Sequence, residues 1–265
     1  MKDIKKLSFN DLISAHGETS PEIVGKLHDA TYVGIDFGTS TTTITRLEYD
    51  TELKRVVSRE LPVAQEDAMG LKTESHLVPT VIAMTGEGGH LIFGLGAKAC
   101  LGAERGCAEG FNYWSEFKMH LGESACYPHT KLSRYNTPDP DIVIETPKDA
   151  ATHFFRYLRM AIEEAVAKDD LPRDIRYAVT VPASFAPNQR KELCEAVEDA
   201  GIVLHAGALL DEPNAAFMAA AAQFAEDGGS DVFFRRGDEC HVLVFDYGAG
   251  TCDISLLGVH SDLRI

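Results

Sequence analysis

Two stretches, far apart in the chain, carry the same arrangement of chemistry-bearing residues. Val33-Gly34-Ile35-Asp36-Phe37-Gly38-Thr39 and Leu243-Val244-Phe245-Asp246-Tyr247-Gly248, the latter continued by Ala249-Gly250-Thr251, each run from an apolar strand through Asp, an aromatic and Gly to small and hydroxyl residues. Glycines and small residues let backbone N–H groups approach an anion closely. Hydroxyls add donors, and a strand-end carboxylate can hold a hydrated divalent metal. Two such hairpins facing each other would clamp one polyphosphate with its Mg²⁺. One Asp-aromatic-Gly step is ordinary turn chemistry; the second copy with matching flanks points to a ligand.

The elements that must position these hairpins can be read from pattern. Tyr32–Phe37 reads as a strand and Thr39–Thr45 as the β-branched strand that returns from it. Val78–Met84 and His90–Gly94 give two more strand-like runs around Gly86-Glu87-Gly88-Gly89, and Ala97–Gly122 reads as loosely helical, followed by an irregular loop from Glu123 to Pro140. Thr146-Pro147-Lys148-Asp149 has the form of an N-cap, and Phe154, Tyr157, Leu158, Ala161, Ile162 and Ala165 recur at helical spacing behind it. Tyr177–Val181 is a buried-type strand, Pro187–Ala200 a helix closed by Gly201, Ile202–Leu210 a second strand and Asp211–Ala225 a third helix, with Ala215–Ala222 expected to pack closely on the sheet. This alternation indicates α/β architecture. A polar tract, Glu226–Glu239, precedes a final strand pair, His241–Asp246 and Thr251–Val259. Ser20 and Pro21 open a short helix in a leader outside the core.

Composition narrows the function classes. The chain has 265 residues, 45% hydrophobic, and 25 Lys+Arg against 41 Asp+Glu give a formal charge of −16. That field repels phosphate backbones and no dense basic cluster offsets it, so no nucleic-acid partner is expected. The longest apolar run, Ala215–Ala222, is far shorter than the ~20 residues of a membrane span, so no membrane partner is expected either. Six cysteines form no C-x-x-C pair, ten histidines show no metal-ligand spacing, and no signal-peptide h-region opens the chain. A reduced, cytoplasmic protein is expected, with Cys252 a small core residue.

Four segments, in order, resemble the nucleotide-binding domain of the seventy-kilodalton heat-shock (DnaK-type) chaperone family, within the actin-like ATPase superfamily. Gly34-Ile35-Asp36-Phe37-Gly38-Thr39-Ser40 is similar to that family's first phosphate motif. Ala178-Val179-Thr180-Val181-Pro182-Ala183-Ser184-Phe185 with Gln189-Arg190 is similar to its signature strand and helix. Leu210-Asp211-Glu212-Pro213-Asn214-Ala215-Ala216 is similar to its Glu-Pro-Thr-Ala-Ala segment, and Phe245-Asp246-Tyr247-Gly248-Ala249-Gly250-Thr251-Cys252-Asp253 to its second phosphate motif.

The resemblance implies an actin-like (ribonuclease H-like) α/β fold. Residues 31–79 and 147–225 would form the core of lobe I and 80–146 an inserted subdomain. Residues 1–30 would be an extension, 226–240 a loop and 241–265 the first strands of lobe II. It implies ATP/ADP and Mg as ligands, with Asp36, Asp246 and Asp253 holding the metal mainly through water. Gly38, Thr39, Ser40, Gly248, Ala249, Gly250 and Thr251 would lie on the phosphates, and Lys118, Glu212 and Asp246 would serve ATP hydrolysis: Lys118 orients the attacking water, and Glu212 positions or activates it. Pro182 and Arg190 are similar to residues that relay nucleotide state. The parent function implied is protein folding, with a J-domain co-chaperone, a nucleotide-exchange factor and client polypeptides as partners of a longer protein.

Two departures qualify the expectation. Ala249 stands where the family has a glycine, so its methyl would crowd the phosphate if that position needs φ > 0. The chain ends partway into the second lobe's strands, so weak or no turnover is expected of it alone. Two other readings stay open: a sugar or acid kinase of the actin superfamily, and a non-enzymatic interaction module with an incomplete nucleotide site.

Overall fold

The computed structural model describes residues 21–66, 71–84, 90–100, 113–123, 144–205, 209–226, 239–248 and 252–260. Helix α1 (Pro21–Asp29) begins at the expected proline and buries none of its residues. Strand β1 (Thr31–Asp36) is the middle of the main sheet. Its alternate residues Thr31, Val33 and Ile35 are buried, as the period of two requires. It pairs antiparallel with β2 (Thr41–Asp50) and parallel with β10 (Ile175–Val181). Outside them lie β3 (Arg55–Glu60), antiparallel to β2, and β11 (Leu210–Asp211), parallel to β10, giving the order β11-β10-β1-β2-β3 with β6 (Leu77–Pro79) also on β2. Strand β4 (Val63–Glu66) pairs with β5 (Lys72–Ser75), and β7 (Ile82–Met84) pairs with β8 (Leu91–Phe93) on one side and β9 (Tyr113–Trp114) on the other. Helix α2 (Gly94–Cys100) follows β8. The α/β class expected from the alternation is what the chain adopts.

Helix α3 (Pro147–Lys168) closes the sheet. Thr146 accepts from the Asp149 N–H while Asp149 accepts from the Thr146 N–H, so orphan donors at the helix start are satisfied reciprocally. Phe154, Phe155, Leu158 and Ile162 face inward and are fully buried. Phe37, just past β1, touches this face, with ring centroids 4.9 Å from Phe155 and 6.2 Å from Phe154. Truncating any of these phenylalanines to Ala would cost about 3–5 kcal/mol. Helix α4 (Pro187–Asp199) starts at its proline and is followed by Gly201 at φ +78, the left-handed position that suits glycine after a helix. Helix α5 (Glu212–Glu226) follows β11 directly.

The final hairpin, β12 (Glu239–Tyr247) and β13 (Cys252–His260), pairs in full register as its own two-stranded sheet. Leu243 lies opposite Leu256 and Phe245 opposite Ile254, and these four side chains are exposed on one face together with Tyr247.

Four expectations need correction. Ala97–Gly122 is not one helix: α2 ends at Cys100, and Tyr113–Trp114 is a strand against Ile82 and Ala83. Phe117 and Leu121 are both buried and four residues apart, which imitates helical spacing, yet they lie in consecutive tight turns. Ile202–Leu210 is not a continuous strand. Leu204 makes an isolated bridge to Tyr177, His205 lies outside any strand, and Leu210 pairs with Thr180. Of the alanine-rich run, Ala215 is half-buried and Ala216, Ala219 and Ala220 are exposed, so this helix face does not pack on the sheet. Cys252 is exposed, not core. The expected loops at Glu123–Pro140 and Glu226–Glu239 fall, but for Glu123, Glu226 and Glu239, outside the described residues. None of the described helices is long and apolar enough to cross a membrane.

Candidate active site

The site gathers at the C-terminal ends of β1, β10 and β11, which run parallel and therefore deliver Asp36, Thr180 and Asp211 to one edge of the sheet. Past Asp36 the chain turns through Gly38. A Cβ there would sit 2.2 Å from the Thr41 carbonyl oxygen, so only glycine fits the turn. Thr80 pins it from below: its hydroxyl donates to the Gly38 carbonyl (2.8 Å) and its N–H to the Ser40 carbonyl (3.0 Å). That hydroxyl has one proton, so in the buried 2.9 Å contact between Thr42 and Thr80 the donor is Thr42. Thr39 is half-buried, its hydroxyl 3.5 Å from the Met119 sulfur, and Ser40 is exposed. Asp36 is exposed and accepts a 2.6 Å hydrogen bond from Thr180.

Lys118 and Glu212 meet. Lys118 Nζ donates to Glu212 Oε1 at 2.8 Å, with side chains only 5% and 14% exposed. Ninety-four positions separate them, so this pairing is a product of the fold. The lysine is delivered by a turn anchored on buried Phe117 and Leu121, and its ammonium lies 5.6 Å from the Phe37 ring centroid and 6.0 Å from that of Phe185. Glu212 opens α5, where the helix dipole favours an anion. Its pKa is nonetheless raised: burial is the largest cause, Asp36 and Asp246 add like-charge repulsion, and Lys118 opposes both. Glu212 thus senses the strand-end carboxylates of both hairpins.

Arg190 braces the next residue. Its guanidinium donates to Asp211 (2.6 Å) and to the carbonyls of Pro182 (3.1 Å) and Phe185 (3.2 Å), tying the segment after β10 to the end of β11. Asp246 is exposed and faces Asp253 across the hairpin, and Ser184 donates to Asp253 at 3.1 Å. Ala249, Gly250 and Thr251 lie outside the described residues. Gly248 is the last described residue of that loop and is exposed. Among the described residues no group of three or more acidic, cysteine or histidine side chains forms a direct metal cage. Thr180 was not singled out by sequence reasoning. A threonine beside a strand-end Asp gives no local signal, and only the parallel pairing of β1 with β10 reveals the contact.

Residues 145–262 match the family model described as "Hsp70 protein". The chain is 28% identical over 233 residues to the chaperone protein DnaK of Elusimicrobium minutum, an alignment covering 86% of this chain and 30% of that protein. It is 27% identical over 237 residues to a chaperone protein HscA homolog of Pseudoalteromonas atlantica, covering 85% and 32%. Over 115 residues it is 32% identical to a heat shock cognate HSP70 protein of Trypanosoma brucei brucei, covering 43% and 14%. The chain thus spans about a third or less of the length of these relatives.

Proposed function

From the premise that this chain belongs to the Hsp70 family, we propose that it is the ATP-binding part of a DnaK-type chaperone and that its actin-like α/β fold clamps a Mg²⁺-bound nucleotide between its two Asp-aromatic-Gly hairpins. The reading is carried by the 2.8 Å contact between Lys118 and Glu212, a buried ion pair at the edge where Asp36 emerges. Burying two charges is costly, and replacing such a pair by apolar residues is often neutral or stabilising. A buried pair beside two further carboxylates is better explained by chemistry than by stability.

Gly38, Thr39 and Ser40, with Gly248, Ala249, Gly250 and Thr251, would supply backbone and hydroxyl donors to the phosphates. Asp36, Asp246 and Asp253 would hold Mg²⁺ through its waters, and the ion would neutralise phosphate charge. Glu212 accepts the proton of the attacking water or orients it, and its raised pKa moves it toward the range in which a general base works best. Lys118 fixes that carboxylate and offers its remaining protons to the γ-phosphate and the water. Thr180 holds Asp36 in one rotamer. This is catalysis by positioning and preorganised charge. A J-domain co-chaperone, a nucleotide-exchange factor and client polypeptides would be partners of a longer protein.

The test is calorimetry with Mg-ATP and a single-turnover assay on wild type and Glu212→Ala. Binding in both, with turnover confined to wild type, supports the reading. Absence of Mg-ATP binding to wild type overturns it.

A further inference from the structure

The turn that carries Lys118 ends at Gly122, a residue at φ +82. Both polar groups of Gly122 are taken by one face of α4: its N–H donates to Glu192 Oε2 at 2.6 Å, and its carbonyl accepts from Asn188 Nδ2 at 2.9 Å. Residues 188 and 192 are one helical turn apart and so stand side by side on that face. An N–H bonded to a carboxylate is among the stronger hydrogen bonds available to a backbone amide. Space around Gly122 is already used, since a Cβ there would lie 2.6 Å from Asn188 Nδ2 and 2.8 Å from Gln189 Cγ. From another face of the same helix, two positions from each in sequence, Arg190 holds Asp211, the neighbour of Glu212. The first turns of α4 therefore grip the segment bearing Lys118 and the segment bearing Glu212 at once.

We propose that Asn188 and Glu192 are positioning residues for the Lys118–Glu212 pair, acting by clamping the Gly122 backbone so that Lys118 is held in its buried place. The proposal rests on the reading of that pair as the hydrolytic machinery. Neither side chain touches Lys118 or Glu212 in the structure's hydrogen bonds. The clamp acts through four residues of turn, anchored by Phe117 and Leu121.

The experiment uses the full chain with Glu192→Ala, Glu192→Gln, Asn188→Ala and the helix-surface control Lys191→Ala. Lysine accessibility is read by brief acetic anhydride labelling and mass spectrometry, which needs no ATP turnover. Lys118 labels about tenfold faster in Glu192→Ala, as expected for a loss near 1.4 kcal/mol in the burying contacts, and returns most of the way in Glu192→Gln, whose amide oxygen still accepts from Gly122. Lys148, which pairs with Glu195 and Asp199 farther along α4, labels at the wild-type rate throughout. In single-turnover assays the maximal rate constant of hydrolysis falls about tenfold with the half-saturating concentration nearly unchanged. Wild-type labelling of Lys118 in Glu192→Ala overturns the proposal, as does a joint rise of Lys118 and Lys148, which would mean that α4 itself had come loose. If labelling follows expectation while no variant, wild type included, binds Mg-ATP in calorimetry, the clamp stands and the ATPase reading fails.

Discussion

Thr180 donates a 2.6 Å hydrogen bond to the Asp36 carboxylate across the parallel strands β1 and β10, one step beyond the paired residues Ile35 and Val179. The bond fixes the carboxylate at the mouth of the site without burying it. Thr180→Val keeps the β-branched shape and removes the donor. Because Asp36 is exposed, water replaces the lost partner and stability falls by no more than about 1 kcal/mol. Mg-nucleotide affinity falls several-fold while affinity for nucleotide in EDTA is unchanged. Equal losses with and without Mg²⁺ in calorimetry would show that Thr180 does not act through Asp36.

Glu212 predicts a pH signature with a definite sign. Folding raises its pKa, so the native state binds this proton more tightly than the unfolded chain does. The resulting stability is complete below the ordinary carboxylate value and is lost as pH rises through the raised native value. Relative to Glu212→Gln, wild type should lose Tm as pH climbs through that window. Parallel Tm curves for the two proteins would refute the assignment.

Lys118→Met removes the cation that opposes burial at Glu212. The carboxyl then titrates at still higher pH, and the rising limb of the pH–rate profile moves up with it. With both the charge and the proposed phosphate donor gone, the hydrolysis rate should drop by about 100-fold or more, with nucleotide binding retained. A profile whose limb stays in place, measured by single-turnover kinetics, would separate Lys118 from Glu212.

Gly38→Ala tests the turn proposed to hold phosphate. The new methyl meets a backbone oxygen, which cannot rotate away, so the turn must open. A loss of about 1–3 kcal/mol is expected in urea unfolding, with weaker nucleotide binding. A loss under about 0.5 kcal/mol would show that the turn gives freely.

The exposed ladder on β12 and β13 should bind an apolar dye. Leu243, Phe245, Tyr247, Ile254 and Leu256 are each more than 60% exposed on one face, a larger apolar patch than isolated surface residues make. Phe245→Ser should lower anilinonaphthalene sulfonate fluorescence by about half and change stability by no more than about 0.5 kcal/mol. Unchanged fluorescence would place the dye elsewhere.

Legibility in the sequence followed from how local each signal was. Thr146 with Asp149, and Asp36 with Gly38, are short-range patterns, and both form where expected. Strands β3 and β5 were missed because their residues are half-buried or exposed and carry little hydrophobic alternation; pairing with a neighbour makes them strands. The helical reading of Ala97–Gly122 failed because Phe117 and Leu121 reach the same core from two successive turns. Lys118 was found through family resemblance, since a lone lysine has no local pattern. Its partner contact and the Asn188–Glu192 grip on Gly122 depend on segments brought together over 66 to 94 positions.

The register of β1 against β10, with Gly34 opposite Ala178 and Ile35 opposite Val179, has a consequence for how this chain tolerates change. The distance from Asp36 to Thr180 is set by neighbouring backbones and is indifferent to the contour length of chain that joins them. Residues can be gained or lost in the β4–β5 and β7–β8 connections without moving the carboxylate relative to the hydroxyl. A one-residue deletion inside β1 would shift every later side chain to the opposite face. Indel tolerance should therefore be high in those two connections and near zero in the six residues of β1.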